Sequence, residues 1–179
     1  MLFPERPSPA VLFEKIRRHR PTILINVPTM IHRMVSDPAA RERDLGSLRA
    51  RHLGRRGAAS GAVPPLGARP SGVELLDGLG TAEMWHIFIS NRPGAVRPGT
   101  LGQVVPGFEV KLCDDQGREV GPGEVGALWV RGGARATQYW RQRDKTRQVF
   151  RGEWVVTGDL LRRDCRRLLH LLRAGAMSC

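Results

Sequence analysis

Tyrosine occurs once in these 179 residues, and aromatic side chains together make up only 6% of them. Surfaces that bind nucleic acid bases usually interleave aromatics with their basic residues, so this scarcity counts against that class. Cysteine is nearly as rare. Cys113, Cys165 and Cys179 lie far apart, with no CxxC pair and no Cys/His ligand spacing. That pattern predicts reduced thiols, a cytoplasmic setting and no Cys/His metal site. No apolar run approaches the ~20 residues that span a bilayer, so no membrane span is expected. The N-terminal stretch MLFPERPSPAVLF lacks a basic segment followed by an apolar one, so no secretory signal is expected there.

Acidic residues are missing locally as well. RARHLGRRGAASGAVPPLGARP, Arg49 to Pro70, holds five arginines and a histidine and no acid, in a chain of net charge +12. Residues 51–70 and 160–179 carry +4 each, two thirds of the net charge, and neither stretch contains an aromatic residue. A basic, Gly/Pro-rich segment of this kind raises a nucleic-acid-binding reading. Its salt-dependent retention on DNA or RNA would be lost on replacing Arg51, Arg55 and Arg56.

What is present is ordered on either side of that stretch, in a chain long enough for one domain with a core. Ser8-Pro9 reads as an N-cap with proline at the first helical position, and Leu12, Phe13 and Ile16 give a helical face. TILINV, Thr22 to Val27, reads as a short buried strand. Met30, Ile31, Met34 and Val35 restart a helical period, so this stretch predicts a layer of an open α/β sheet. FEVKLCDDQGREV predicts a hairpin, GEVGALWVRG a strand, and GEWVVTGDL a strand running into a Gly-Asp turn. Glycine and proline punctuate this half about every ten residues, as in a small sheet or barrel.

Two short motifs suit nucleotide chemistry. In DGLGTAE, Asp77 to Glu83, Gly78 and Gly80 permit close backbone approach to a ligand, Thr81 offers a hydroxyl and Glu83 could hold Mg²⁺. In TGD, Asp159 beside Gly158 could accept hydrogen bonds from both ribose hydroxyls. Each alone is a weak signal, and turn chemistry is its default reading.

Taken in order, VPTM, GLGTAE, GEVGALWVRG…YW and GEWVVTGD resemble the adenylate-forming acyl-CoA synthetases. The stretch LLDGLGTAEMWHIFISNRPGAVRPGTLGQVVPG, Leu75 to Gly107, is similar to their benzoate–CoA ligase branch. The resemblance covers most of residues 6–50 and 72–164. It implies an α/β fold: part of a large N-terminal domain, with an open α/β layer followed by a small β-rich, barrel-like unit. It also implies a reaction in two steps. An aryl carboxylate attacks the α-phosphate of ATP, giving an acyl-adenylate and pyrophosphate, and the thiol of CoA then displaces AMP. ATP, Mg²⁺ and CoA are the implied cofactors, with a small aryl carboxylate as partner and neither nucleic acid nor membrane. By the same likeness Glu83 holds Mg²⁺, and Asp77, Gly78, Leu79 and Gly80 lie along adenine and the acyl pocket. Thr81 completes the nucleotide loop, Asp159 binds ribose, and Val27 and His86 lie near the aryl group. His86 on its own is equally a plain core or surface histidine. The family usually carries threonine just before its metal-binding acid. Here that position is Ala82, with Thr81 adjacent.

The family's Gly/Ser/Thr-rich phosphate loop and its C-terminal lysine domain have no counterpart in these residues, so the resemblance implies no ligase activity from this chain alone. Two segments depart from the family pattern. One base of shift in a GC-rich reading can turn RHLGRRGAA into ATSAGEAL, and the residues after Asp164 into ADGYFTYC. Residues 50 to about 70 and 165–179 are therefore expected to be out-of-frame and poorly packed, with LLHLL at most a short helix. The expected organisation is an α/β layer over 1–50, a disrupted segment over 51–70, a nucleotide- and acyl-site region over 71–98, a β-rich subdomain over 99–164 and an aberrant tail over 165–179. Three functions follow: part of an aryl-acid–CoA ligase, inactive alone; a basic nucleic-acid-binding protein; or an adenylate-binding scaffold without turnover.

Overall fold

Ser8 begins the first helix as its sequence suggests. Its hydroxyl accepts a hydrogen bond from the Val11 amide at 3.3 Å, and Pro9 opens α1, Pro9–His19. The structure, a computed structural model, describes residues 7–38, 43–54 and 74–173. α1 leads into β1, Ile23–Asn26, and then α2, Pro28–Val35. Leu12, Phe13 and Ile16 of α1 pack with Met30, Ile31 and Met34 of α2 onto Leu24, Leu45 and Leu48. β1 differs from the expected buried strand. Only Leu24 is covered, while Ile23 and Ile25 remain 59% and 50% exposed, because the described helices pack on the Leu24 face alone.

β1 lies parallel to β2, Ala50–Gly54, and β2 parallel to β3, Glu74–Gly80. The chain then reverses, so β4, Ile87–Ser90, and β5, Gln103–Val104, complete a five-stranded mixed sheet in sequence order. Residues 50–54 thus depart from the expectation for a disrupted segment: they form a strand flanked on both sides. A ladder is made by backbone groups, so a changed run of side chains can still occupy it. The expectation for residues 55–70 lies outside the described residues.

The second sheet is antiparallel. β6, Phe108–Cys113, turns at Asp114–Gly117 and is followed by β7, Val125–Gly132; a helix, α3, Arg143–Val149, precedes β8, Phe150–Arg151, and β9, Trp154–Arg163. The Gly-Asp turn expected after GEWVVT is absent. β9 runs on through Gly158 and Asp159, which sit in a bulge opposite Leu128, with Gly158 at φ +74°. Thr157 holds the bulge: its hydroxyl donates to the Leu128 carbonyl and accepts from the Asp159 amide. β10, Leu169–Arg173, then pairs with β9.

That last strand corrects the expected poorly packed tail and its short helix, within the described residues. Asp164 accepts from the Arg166 and Leu168 amides, making a tight turn in which Arg167 takes φ +61°. Leu169 is fully buried with Leu128, Val130, Val155 and Leu161 of the same sheet, Leu79, Phe88 and Ile89 of the first, and Met84 and Leu101 of the connections. A hairpin that puts one leucine into an existing core outweighs the helical preference of a five-residue run. Leu169 also exchanges backbone hydrogen bonds with Leu101 and Gly102, which joins the two sheets.

The turn carries a pH signature. A hydrogen bond from the His170 ring, with the amides of Leu168 and Arg166, holds the Asp164 carboxyl below its ordinary range. A lowered carboxyl pKa adds stability above the unfolded value, near 4, which is lost as pH falls through the folded value. His170→Ala is therefore expected to weaken the chain by under ~1 kcal/mol near neutrality and by less at pH 2, read by urea denaturation at both pH values. An equal loss at both would refute the pairing.

Candidate functional site

The parallel part of the first sheet sets where a site can form. In open α/β sheets the strand carboxyl ends are where ligands bind. Here Asn26 is opposite Leu53, Leu53 opposite Asp77 and Gly54 opposite Gly78. Val27 therefore sits just past the end of β1, two strands from Asp77 and Gly78, a span of about 10 Å at ~4.8 Å per strand. Val27 is the N-cap of α2 and 47% exposed.

Asp77 to Gly80 are strand residues and not the free Gly-rich turn that the spacing suggests. Gly80 is glycine for a reason internal to the chain: a Cβ there would lie 2.3 Å from the His86 carbonyl oxygen. That close approach is to the chain entering β4. Asp77 is buried, and its carbonyl accepts from the Asn91 amide at 2.9 Å, which ties the SNRPG loop to the strand. The Asn91 side chain fixes that loop further, donating to Thr100 and accepting from the Arg97 amide.

After β3 the chain makes one tight helical turn, Ala82–Met84, that buries Thr81 and Glu83 and exposes Ala82. Trp85 follows at φ +69°, 83% exposed, and the neighbouring His86 side chain is exposed too. Glu83 is gripped from the second sheet. Its carbonyl accepts from the Ala136 amide at 2.7 Å, and its Oε1 accepts from the Tyr139 hydroxyl at 2.6 Å. Glu83 Oε2 and Thr81 Oγ1 are buried without a hydrogen-bond partner. Unpartnered buried oxygens are costly and rare, and this turn holds two within three residues, both able to accept from or bind to a ligand. Burial, and then the Glu83 carboxylate, push the Tyr139 phenol above its usual range.

The two oxygens are hard donors suited to Mg²⁺ or to a phosphate-bound cation. Among the described residues no three His, Cys, Asp or Glu side chains gather into a metal cluster. A cation at Glu83 would thus draw its other ligands from phosphate and water, as Mg²⁺ commonly does. Asp159 comes from the other sheet, buried at the β9 bulge on the same face as Val155 and Leu161.

The structure brings Asp77, Gly78, Leu79, Gly80, Thr81 and Glu83 onto one strand and turn, with Val27 past the end of β1, two strands away. The clamp from Ala136 and Tyr139 is absent from the sequence reading. The only available signal was the YW pair itself, which has no spacing that ties it to Glu83, 56 residues away.

Comparisons with known proteins point to one family. A family model described as AMP-binding enzyme matches residues 1–140. A 4-hydroxybenzoate–CoA/benzoate–CoA ligase of Rhodopseudomonas palustris is 42% identical over 160 residues, covering 89% of this chain and 30% of the relative. A benzoate–CoA ligase of Thauera aromatica is 42% identical over 164 residues, with the same two coverages. Among solved structures, an anthranilate CoA ligase in complex with anthranoyl-AMP superposes with a TM-score of 0.84 at 35% identity, over 95% of this chain and 33% of that one. A benzoate CoA ligase from Burkholderia xenovorans gives 0.81 at 36% identity, over 95% and 35%. The chain thus spans about a third of the length of the proteins it matches.

Proposed function

Because the chain belongs to the AMP-binding enzyme family, we propose that it forms part of the acyl-adenylate site of a cytoplasmic aryl-acid–CoA ligase. In such an enzyme an aryl carboxylate attacks the α-phosphate of ATP, pyrophosphate leaves, and the thiol of CoA takes the acyl group from AMP. The observation that carries this reading is the pair of buried, unpartnered oxygens of Thr81 and Glu83 at the end of the parallel strands.

Glu83 is the residue to hold Mg²⁺, which when bound neutralises charge at the phosphate. Thr81 supplies the hydroxyl for the adenylate phosphate, a role that Ala82 lacks the chemistry to fill. Asp77 to Gly80 lie along adenine, and their strand pairing keeps that wall rigid. Asp159 accepts from the ribose hydroxyls, its backbone fixed by the Thr157 bulge. Val27 and His86, both open to solvent, line the side from which the aryl acid enters.

Binding is tested by titrating the folded chain with AMP, or with a non-hydrolysable benzoyl-adenylate analogue, in the presence of Mg²⁺. Heat of binding that disappears in Thr81→Val is expected, and a flat titration of folded wild-type chain refutes the reading. Turnover is a separate matter. With few groups to stabilise the leaving pyrophosphate, the pure chain is expected to form no benzoyl-CoA from ATP, benzoate and CoA. Thioester detected by mass spectrometry would overturn that expectation.

A further inference from the structure

We propose that Tyr139 is a positioning residue: it fixes one oxygen of the Glu83 carboxylate so that the other faces the divalent cation. This rests on the reading of Glu83 as the cation's protein ligand.

The two carboxylate oxygens of Glu83 are in different states. Oε1 accepts a short hydrogen bond from the Tyr139 hydroxyl, whereas Oε2 is buried and has no partner. A carboxylate free to rotate would present either oxygen. One pinned at Oε1 presents the same oxygen every time. The pin is a neutral phenol, which donates without cancelling the charge that a cation needs; an arginine or lysine there would compete with it.

Tyr139 is itself held. Its ring meets Phe150 edge-on at 5.4 Å, its amide donates to the Thr146 hydroxyl at 3.1 Å, and the Lys145 ammonium lies 4.6 Å from the ring centre. Three residues earlier in the same loop, the Ala136 amide grips the Glu83 carbonyl. Backbone and side chain of Glu83 are thus both fixed by a loop of the second sheet. With no group of three or more His, Cys, Asp or Glu side chains to share a cation among the described residues, the orientation of Glu83 governs affinity more than it would in a multi-carboxylate cage.

The chain contains one tyrosine, so ring-labelled tyrosine gives one NMR signal that belongs to Tyr139. Mn²⁺ binding is measured by electron paramagnetic resonance on the whole chain with AMP present, for wild type, Tyr139→Phe and Glu83→Gln. The tyrosine signal is followed separately as Mg²⁺ and AMP are added to wild type and to Glu83→Gln. The expected results are Glu83-dependent Mn²⁺ binding, a 10–100-fold loss of affinity in Tyr139→Phe, and a tyrosine shift on adding Mg²⁺ that Glu83→Gln lacks. If Tyr139→Phe binds Mn²⁺ as wild type does while Glu83→Gln does not, or if the tyrosine signal ignores Mg²⁺ that binds through Glu83, the positioning role is overturned and the site survives. If Glu83→Gln binds like wild type, or no Mn²⁺ binds, the ligand reading fails and takes the inference with it. Should Tyr139→Phe not fold, the NMR arm on unaltered Tyr139 decides alone.

Discussion

Alanine in place of Leu169 is expected to cost about 2–5 kcal/mol, the range for truncating a fully buried leucine. Leu169 has no exposed surface and lies where the two sheets meet, against residues of both. The measurement is urea denaturation followed by tryptophan fluorescence. Leu172→Ala is the control, because Leu172 is on the same strand yet 53% exposed. A loss at position 169 no larger than at 172 would mean that the strand after Asp164 lies off the core. The result bears on whether a segment that departs from the family pattern is part of the fold.

Gly102→Ala is expected to be as damaging, by a different mechanism. Gly102 has φ +85°, and a Cβ there would lie 2.2 Å from the Ser90 carbonyl oxygen and 2.4 Å from the Asn91 nitrogen. Both obstacles are backbone, so no rotamer change relieves them. An L-residue in the left-handed region costs roughly 1–2 kcal/mol, and overpacking adds about 1–3. A total of about 2–5 kcal/mol is expected, with β4, β5 and the bridge to Leu169 displaced together. Gly99→Ala separates the two contributions. It too has positive φ, +80°, but nothing lies within 4 Å of its added Cβ, so only the backbone cost should appear. Equal midpoint shifts for the two variants would refute the steric account.

Much of the first layer was legible from local rules. Ser8-Pro9 marked a helix start, and Met30, Ile31 and Met34 marked a buried face, because capping and period act over a few residues. The Asp114–Gly117 turn was legible for the same reason. The Gly-rich stretches were misread where glycine serves a neighbouring strand. Gly80, at the end of β3, leaves room for the His86 carbonyl, and Gly158 makes a bulge within β9, so neither forms the free turn that its sequence suggests. LLHLL was misread because a run of five apolar residues carries no decisive period; Leu169 became a strand residue once β9 and Gly102 offered backbone partners on either side.

The candidate site divides the same way. Asp77 to Glu83 and Asp159 could be named from the chain as chemistry-bearing residues, because their types and spacing are a property of sequence. Which oxygen of Glu83 is free could not be named. That depends on a tyrosine hydroxyl brought across 56 positions by the packing of two sheets, a contact with no local signature. By itself, then, the sequence determined the first helical layer, the turn at Asp114 and the nucleotide motif, all written in short-range patterns. Tertiary structure alone decided that Thr81 and Glu83 are buried, that Tyr139 and Ala136 clamp the acid, and that Leu169 joins the core. Burial and long-range hydrogen bonds belong to the assembled fold and to no segment of it.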